Sequence, residues 1–387
     1  MGKRSRSTRI AAALSAGLLA ISLAACSPST PTPTPQESPV LDEYVVDPDA
    51  KLLISPVDYG DFSLVNAKFS IPLDDRPVSL QRKTESGWEE VATSEQNKAG
   101  SADFQVKVEP NSTYRAVALQ AAGSGGLERP PAATPEASAD QQWITALDTD
   151  FDGDALDPDT WDYRASGAYD AGGRHCSAPY PENVGFTDGS VTLSVTKETD
   201  PERIAAAKAA GCEEPGNYAN AMISTQNKVT VKTGIAAARV KFAQGQGMHG
   251  SVWLQSHGGS EIDFIESFGY GRGLTSVIHV DGKRYPAKSK DTYVHTEPVK
   301  DRAWWDEYHV YSVEWDYEEL VFRIDGIETQ RIKQATPDVD YFLVVSMLSS
   351  DWEQKRFKKP VQNAEGVTPA KLPQTMEVDW VKVWTPA

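Results

Sequence analysis

Cysteine is scarce in this chain, with three among 387 residues. So few thiols exclude both a disulfide-knit scaffold and a cysteine-rich zinc site. Basic charge is also short: 38 Lys and Arg stand against 55 Asp and Glu, a formal net charge of −17. Four of those cations (Lys3, Arg4, Arg6, Arg9) fall within the first 25 residues, so the remainder is more acidic still. Such a chain is repelled by phosphate backbones, which excludes nucleic acid as a partner. No apolar run is long enough to span a bilayer; the longest, residues 10–25, falls short of the ~20 residues a helix needs. What is present is a hydrophobic fraction of 40%, sufficient for a real core. At ~100–200 residues per domain the length predicts two domains, or one large domain with attachments.

The first 25 residues read as an address. A basic segment leads into the apolar run, which ends in Leu23-Ala24-Ala25-Cys26. This resembles a bacterial lipoprotein box and implies cleavage before Cys26, lipidation of that residue, and an extracytoplasmic protein anchored to the bacterial cell membrane. The alternative is an ordinary signal peptide with an incidental Cys. Residues 26–43 follow as a stalk in which Pro28, Pro31, Pro33, Pro35 and Pro39 alternate with Ser and Thr, a composition that favours extended polyproline. Export places Cys176 and Cys212 in an oxidising setting, and a disulfide between them is expected to add about 3–4 kcal/mol; two buried thiols are the alternative.

Residues 44–120 carry short alternating strands, such as Asp103-Phe104-Gln105-Val106, separated by polar turns such as Thr84-Glu85-Ser86-Gly87. Regular short strands predict a small β-sandwich. The run through Trp88 to Tyr114-Arg115-Ala116 resembles the Ig-like accessory modules of secreted bacterial proteins, and a spacer is the expected role. Residues 121–142, rich in Gly and Pro, read as a flexible linker. From residue 143 to 387 strand signals continue almost without helices, apart from an alanine-rich patch at residues 201–210, which predicts an all-β jelly-roll sandwich.

Chemistry concentrates in Glu261-Ile262-Asp263-Phe264-Ile265-Glu266. Residues two apart on a strand share a face, so Glu261 and Asp263 point together. Strict alternation would send Glu266 to the other side, and one extra residue, a β-bulge near Ile265, restores it. A row of carboxylates is unfavourable in a strand and suits glycoside hydrolysis, which needs one carboxylate and one carboxylic acid across a sugar bond. A divalent-cation site and a solvated acidic strand are the other readings of these residues.

The segment resembles the signature of family 16 of the glycoside hydrolases in its bulged form. Gly247-Met248-His249-Gly250-Ser251-Val252-Trp253, Ser276-Val277-Ile278-His279, Ile324-Asp325-Gly326 and Met376-Glu377-Val378-Asp379-Trp380 are similar to family segments in order and spacing. The resemblance covers residues 143–387 and implies a concanavalin-like β-jelly-roll performing retaining endo-hydrolysis, with Glu261 as nucleophile, Glu266 as acid/base and Asp263 tuning both. Trp253 and His279 are implied near the broken bond. His249, Arg239, Trp305 and Trp352 complete the expected substrate-binding set, although His249 stands where many relatives place tryptophan. Of Trp304 and Trp305, one is expected to point inward and one outward. No cofactor is implied for catalysis, while Asp379 is implied as ligand to a structural calcium. An EF-hand-like run, Asp148 to Asp154, lacks flanking helices and is expected to be strand. The expected function is hydrolysis of β-1,3- or mixed β-1,3/1,4-glucan by a monomer; a lectin-like binding protein and a transglycosylase are the alternatives.

Overall fold

A computed structural model describes residues 44–122, 128–164, 177–212, 218–245, 247–269, 274–286, 304–334, 336–349 and 372–387. Cys26, Cys176 and Trp352, with residues 1–43 that were expected to form a leader and stalk, lie outside them.

The N-terminal part is a two-sheet sandwich. One sheet pairs Lys51–Ile54, Ser63–Lys68 and Ser101–Val106; the other is built on Tyr114–Ala118, Pro77–Thr84 and Gly87–Glu95. Alternate residues such as Leu52, Ile54, Val65, Val78, Leu80 and Phe104 face each other to form its core, as the period of two requires. Residues 121–142 were expected to be a linker, and the structure corrects this. Ala132–Ala133 is a strand of the second sheet, pairing antiparallel with Tyr114–Ala118 and parallel with Val45–Val46. Ala133, Thr134 and Ser138 are buried, and the Arg76 side chain donates to the carbonyls of Leu119, Ala118 and Pro130. The prolines that suggested a linker are tolerated because this strand ends after two residues and leaves few ladder bonds to lose.

The second part is a large sandwich, nearly closed, whose strands are labelled here in chain order: β1 (Trp143–Thr149), β2 (Ser190–Lys197), β3 (Tyr218–Ser224), β4 (Gly234–Lys241), β5 (Met248–Ser256), β6 (Glu261–Ser267), β7 (Leu274–Val280), β8 (His309–Trp315), β9 (Leu320–Ile324), β10 (Ile327–Ile332), β11 (Tyr341–Ser349) and β12 (Gln374–Pro386). The front layer runs β7-β6-β5-β11-β3, with the short strand Lys283–Tyr285 outside β7, and the back layer β2-β12-β4-β8-β9-β10, with β1 on β12; β3 joins the layers by pairing with the end of β2. Of the run 148–154 only Asp148 and Thr149 are strand, at the end of β1; residues 150–154 leave it as a bend, which corrects the expectation of a strand throughout. Val252 and Leu254 of β5, Leu343 and Val345 of β11, Ala236 and Val240 of β4 and Val378 of β12 fill the space between the layers. Asp325 and Gly326 close the β9–β10 hairpin with φ of 48° and 78°, the left-handed pair that a two-residue turn demands.

The outer face of the back layer is apolar at Ile235, Ala237, Val310 and Trp384, and Val57 of the small sandwich covers it, with Tyr59 beside it. The contact is tied by hydrogen bonds: Trp143 Nε1 donates to the Ile54 carbonyl at 2.9 Å, Gln142 Oε1 accepts from Ile54 N–H at 2.9 Å, and Tyr59 Oη meets Ser312 Oγ at 2.9 Å. A side chain at Gly326 would strike Phe62, whose ring lies 2.7 Å from the Cβ position. The small sandwich thus stands behind the large one, leaving the outer face of the front layer free of it.

Candidate active site

Strand β6 carries the acids, and its register shows how. Against β5, Ser251 lies opposite Glu266, Val252 opposite Ile265 and Trp253 opposite Asp263, so Phe264 is the extra residue. Against β7, Asp263 faces Val277 and Glu266 faces Thr275. Phe264 and Ile265 both enter the core with Ile262, which returns Glu261, Asp263 and Glu266 to one face. The Ser276 hydroxyl donates to the Phe264 carbonyl at 2.9 Å, satisfying a backbone acceptor at the irregularity.

The three carboxylates differ in environment. Asp263 is buried, its side chain 7% exposed, while those of Glu266 and Glu261 are 13% and 29% exposed. Glu266 Oε1 meets His249 Nε2 at 2.7 Å and Oε2 accepts from the Thr275 hydroxyl at 3.0 Å. His279, opposite Glu261 on β7, brings Nε2 to 3.6 Å from Asp263 and 3.9 Å from Glu261. Among the described residues, Glu261, Asp263 and His279 have donor atoms all within 4.8 Å of one another. A cation held there would take the lone pairs a nucleophile needs, and the flanking glutamates with a buried aspartate suit acid–base and nucleophilic work on a glycosidic bond.

The cleft floor comes from β5 and β11. Trp253 is half-buried and donates through Nε1 to Ser346 Oγ at 3.2 Å. Arg164, which sequence reasoning missed, joins this floor because its backbone N–H pairs with Met222 of β3 at 2.9 Å. Its guanidinium donates to Gln255 Oε1 at 2.8 Å and sits 5.6 Å from the centre of the Trp253 ring and 5.7 Å from that of Phe342. Burial pushes the Arg164 pKa below its ordinary value, while the charge of Glu261 opposes that shift. Arg164 Nη1 and Ser251 Oγ are buried and have no hydrogen-bond partner among the described residues. Gln255 was legible as a cleft residue, being two positions from Trp253 on one strand; nothing in the sequence near Arg164 announces it.

The other expected residues divide. Trp304 is buried and donates to Ser267 Oγ at 3.0 Å, and half-buried Trp305 meets it edge-on at 4.8 Å, the inward and outward pair foreseen. Arg239 is not in the cleft. It lies on the back layer, facing outward, with its guanidinium 2.5 Å from Asp379 and 4.5 Å from the centre of the Tyr308 ring. The same contact gives the Asp379 carboxylate a guanidinium partner, with which a calcium ion would have to compete. Cys212 is buried beside Ala207, after the helix Pro201–Ala209.

Residues 142–386 match a family model described as "Beta-porphyranase A-D, GH16 domain". A curated relative, glucan endo-1,3-beta-glucosidase A1 of Niallia circulans, is 24% identical over 273 residues, covering 61% of this chain and 37% of the relative; the chain thus spans little more than a third of that protein. Among solved structures, the catalytic domain of an endo-1,3-beta-glucanase (laminarinase) from Thermotoga petrophila RKU-1 aligns with a TM-score of 0.50 at 20% identity, covering 64% of this chain and 99% of that one. The endo-beta-1,3-glucanase of Pyrococcus furiosus aligns at 0.49 and 19% identity, covering 64% and 96%.

Proposed function

The chain belongs to glycoside hydrolase family 16, in the group of the beta-porphyranase A–D domains, and we propose that it cleaves internal bonds of a β-linked polysaccharide with retention of configuration. The observation that carries this reading is the row of Glu261, Asp263 and Glu266 on one face of a bulged strand. Glu261 attacks the anomeric carbon while Glu266 gives its proton to the departing glycosidic oxygen, forming a glycosyl-enzyme ester and releasing one half of the chain. Glu266, now ionised, takes a proton from water, whose oxygen attacks the same carbon and frees Glu261. Buried Asp263 orients the row, and His279 and Trp253 flank the reacting sugar.

For the substrate, the reading is a β-1,3- or mixed β-1,3/1,4-glucan, supported by the activity named for the curated relative. A second reading is favoured by Arg164: a half-buried guanidinium, 5.6 Å from the centre of the Trp253 ring and with one buried nitrogen that has no hydrogen-bond partner among the described residues, suits a galactan bearing anionic groups, in line with the family description. The sequence further supports a lipid anchor at Cys26, extracytoplasmic exposure and a Cys176–Cys212 disulfide as parts of this proposal. The deciding experiment incubates the purified chain with laminarin, mixed-linkage glucan, agarose and porphyran and separates the released oligosaccharides, with Glu261→Gln as control. Products from none of them would overturn the hydrolase reading; products from porphyran alone would select the second substrate.

A further inference from the structure

His249 was expected to touch substrate, yet its side chain is 10% exposed, against 38% for His279. Its ring lies flat on Phe268, with centroids 4.4 Å apart and planes 18° apart. Phe268 is two positions beyond Glu266, just past the end of β6. The imidazole is therefore fixed in its plane by the segment that carries the acid, and its Nε2 reaches Glu266 Oε1 at 2.7 Å while Thr275 holds Oε2 at 3.0 Å. Both oxygens of one carboxyl are thus engaged, one from each neighbouring strand.

We propose that His249, with Thr275, is a positioning residue for the proton-transferring carboxyl. The inference rests on the assignment of Glu266 as acid/base. An ionised carboxylate only accepts hydrogen bonds, so when Glu266 has given up its proton, Nε2 must be the donor. A donor to the ionised form favours that form, so His249 eases release of the proton in the first half-reaction and fixes the base that activates water in the second. The clamp also holds the carboxyl in one rotamer, which is where orientation contributes to rate. Among the described residues, the titratable and charged groups on this cleft face include His249 on β5, His279 on β7, Arg284 opposite His279 on the strand Lys283–Tyr285, Asp263 and Glu261 along β6, and Arg164 at the Glu261 end. All but His249 stay in place when His249 is replaced, so their fields largely cancel in a comparison of variants.

The test measures pH–rate profiles on laminarin and on porphyran for the wild-type chain, His249→Phe, His249→Gln and Thr275→Val, with Tm recorded for each. The basic limb of kcat/KM reports loss of the protonated acid. His249→Phe keeps a ring on Phe268 and removes the donor; the limb should move to higher pH by about one unit and kcat should fall roughly 10- to 100-fold, with KM within about twofold. His249→Gln retains a donor and should recover most of the loss. Thr275→Val, which leaves the histidine alone, should shift the limb in the same direction, and it carries the test if His249→Phe fails to fold. An unmoved limb in both Phe and Val variants, or a loss confined to KM, would overturn the proposal. Failure of the underlying assignment is distinguishable: there Glu266→Ala retains wild-type turnover, whereas here it is inactive and only the His249 and Thr275 variants behave normally.

Discussion

The Arg239 guanidinium and the Asp379 carboxylate meet at 2.5 Å across neighbouring strands of the back layer, outside the core and away from the row of acids on β6. Both side chains are partly exposed, 40% and 30%, so the pair stabilises by about 1 kcal/mol or less. Arg239→Ala should lower Tm slightly and leave kcat unchanged. A chelator should not shift the Tm of the wild-type chain through this site. A chelator-sensitive Tm that Asp379→Asn abolishes would instead assign a calcium ion to this residue.

A fragment beginning at Trp143 should fold less stably than the full chain. Removing the preceding residues takes away Val57 and Tyr59 from over Ile235, Ala237, Val310 and Trp384; re-exposing a side chain of that size costs about 1.5–3 kcal/mol. The cleft lies on the other layer, so kcat measured well below the unfolding transition should survive. Calorimetry and binding of an apolar dye compare the two forms. Equal Tm and equal dye binding would show that the covering contact contributes nothing.

The two glutamates should separate with an activated aryl glycoside, whose leaving group needs no proton. Glu266→Ala should still form the glycosyl-enzyme, and added azide should restore turnover with a β-glycosyl azide as product. Glu261→Ala lacks the nucleophile, so azide entering from the opposite face gives the α-product. Both variants should lose several orders of magnitude on the natural polysaccharide. A β-azide from the Glu261 variant would exchange the two roles.

Arg164→Met should discriminate between the two substrate readings. It leaves an apolar side chain and removes the guanidinium that sits near the Trp253 and Phe342 rings. On an anionic galactan, loss of a charge-assisted contact of roughly 1.5–3 kcal/mol should lower kcat/KM by about 10- to 100-fold. On a neutral glucan the change should stay within a few-fold. Parallel kcat/KM measurements on porphyran and laminarin decide; equal losses on both would make Arg164 a general structural element of the floor.

What the sequence determined is what depends on nearest neighbours along one strand. The spacing of Glu261 and Asp263 put both on one face, and the adjacent apolar pair around Ile265 demanded a bulge before Glu266 could join them; the register has the extra residue at Phe264. Trp253 and His249, four apart, share that face for the same reason. Only tertiary structure decided which layer a strand occupies and what stands across from it. Arg239 has an outward parity that fits a cleft or a back face equally, and the pairing of β4 with β8 and β12 sent it to the back. Arg164 reaches the floor because the two-residue strand Asp162–Tyr163 before it pairs antiparallel with β3, and Ala132–Ala133, too short to signal a strand, is ordered by the partners on either side. A period of two is written in the chain itself, whereas cross-strand partners lie far apart in sequence and are fixed by the packing of both layers at once.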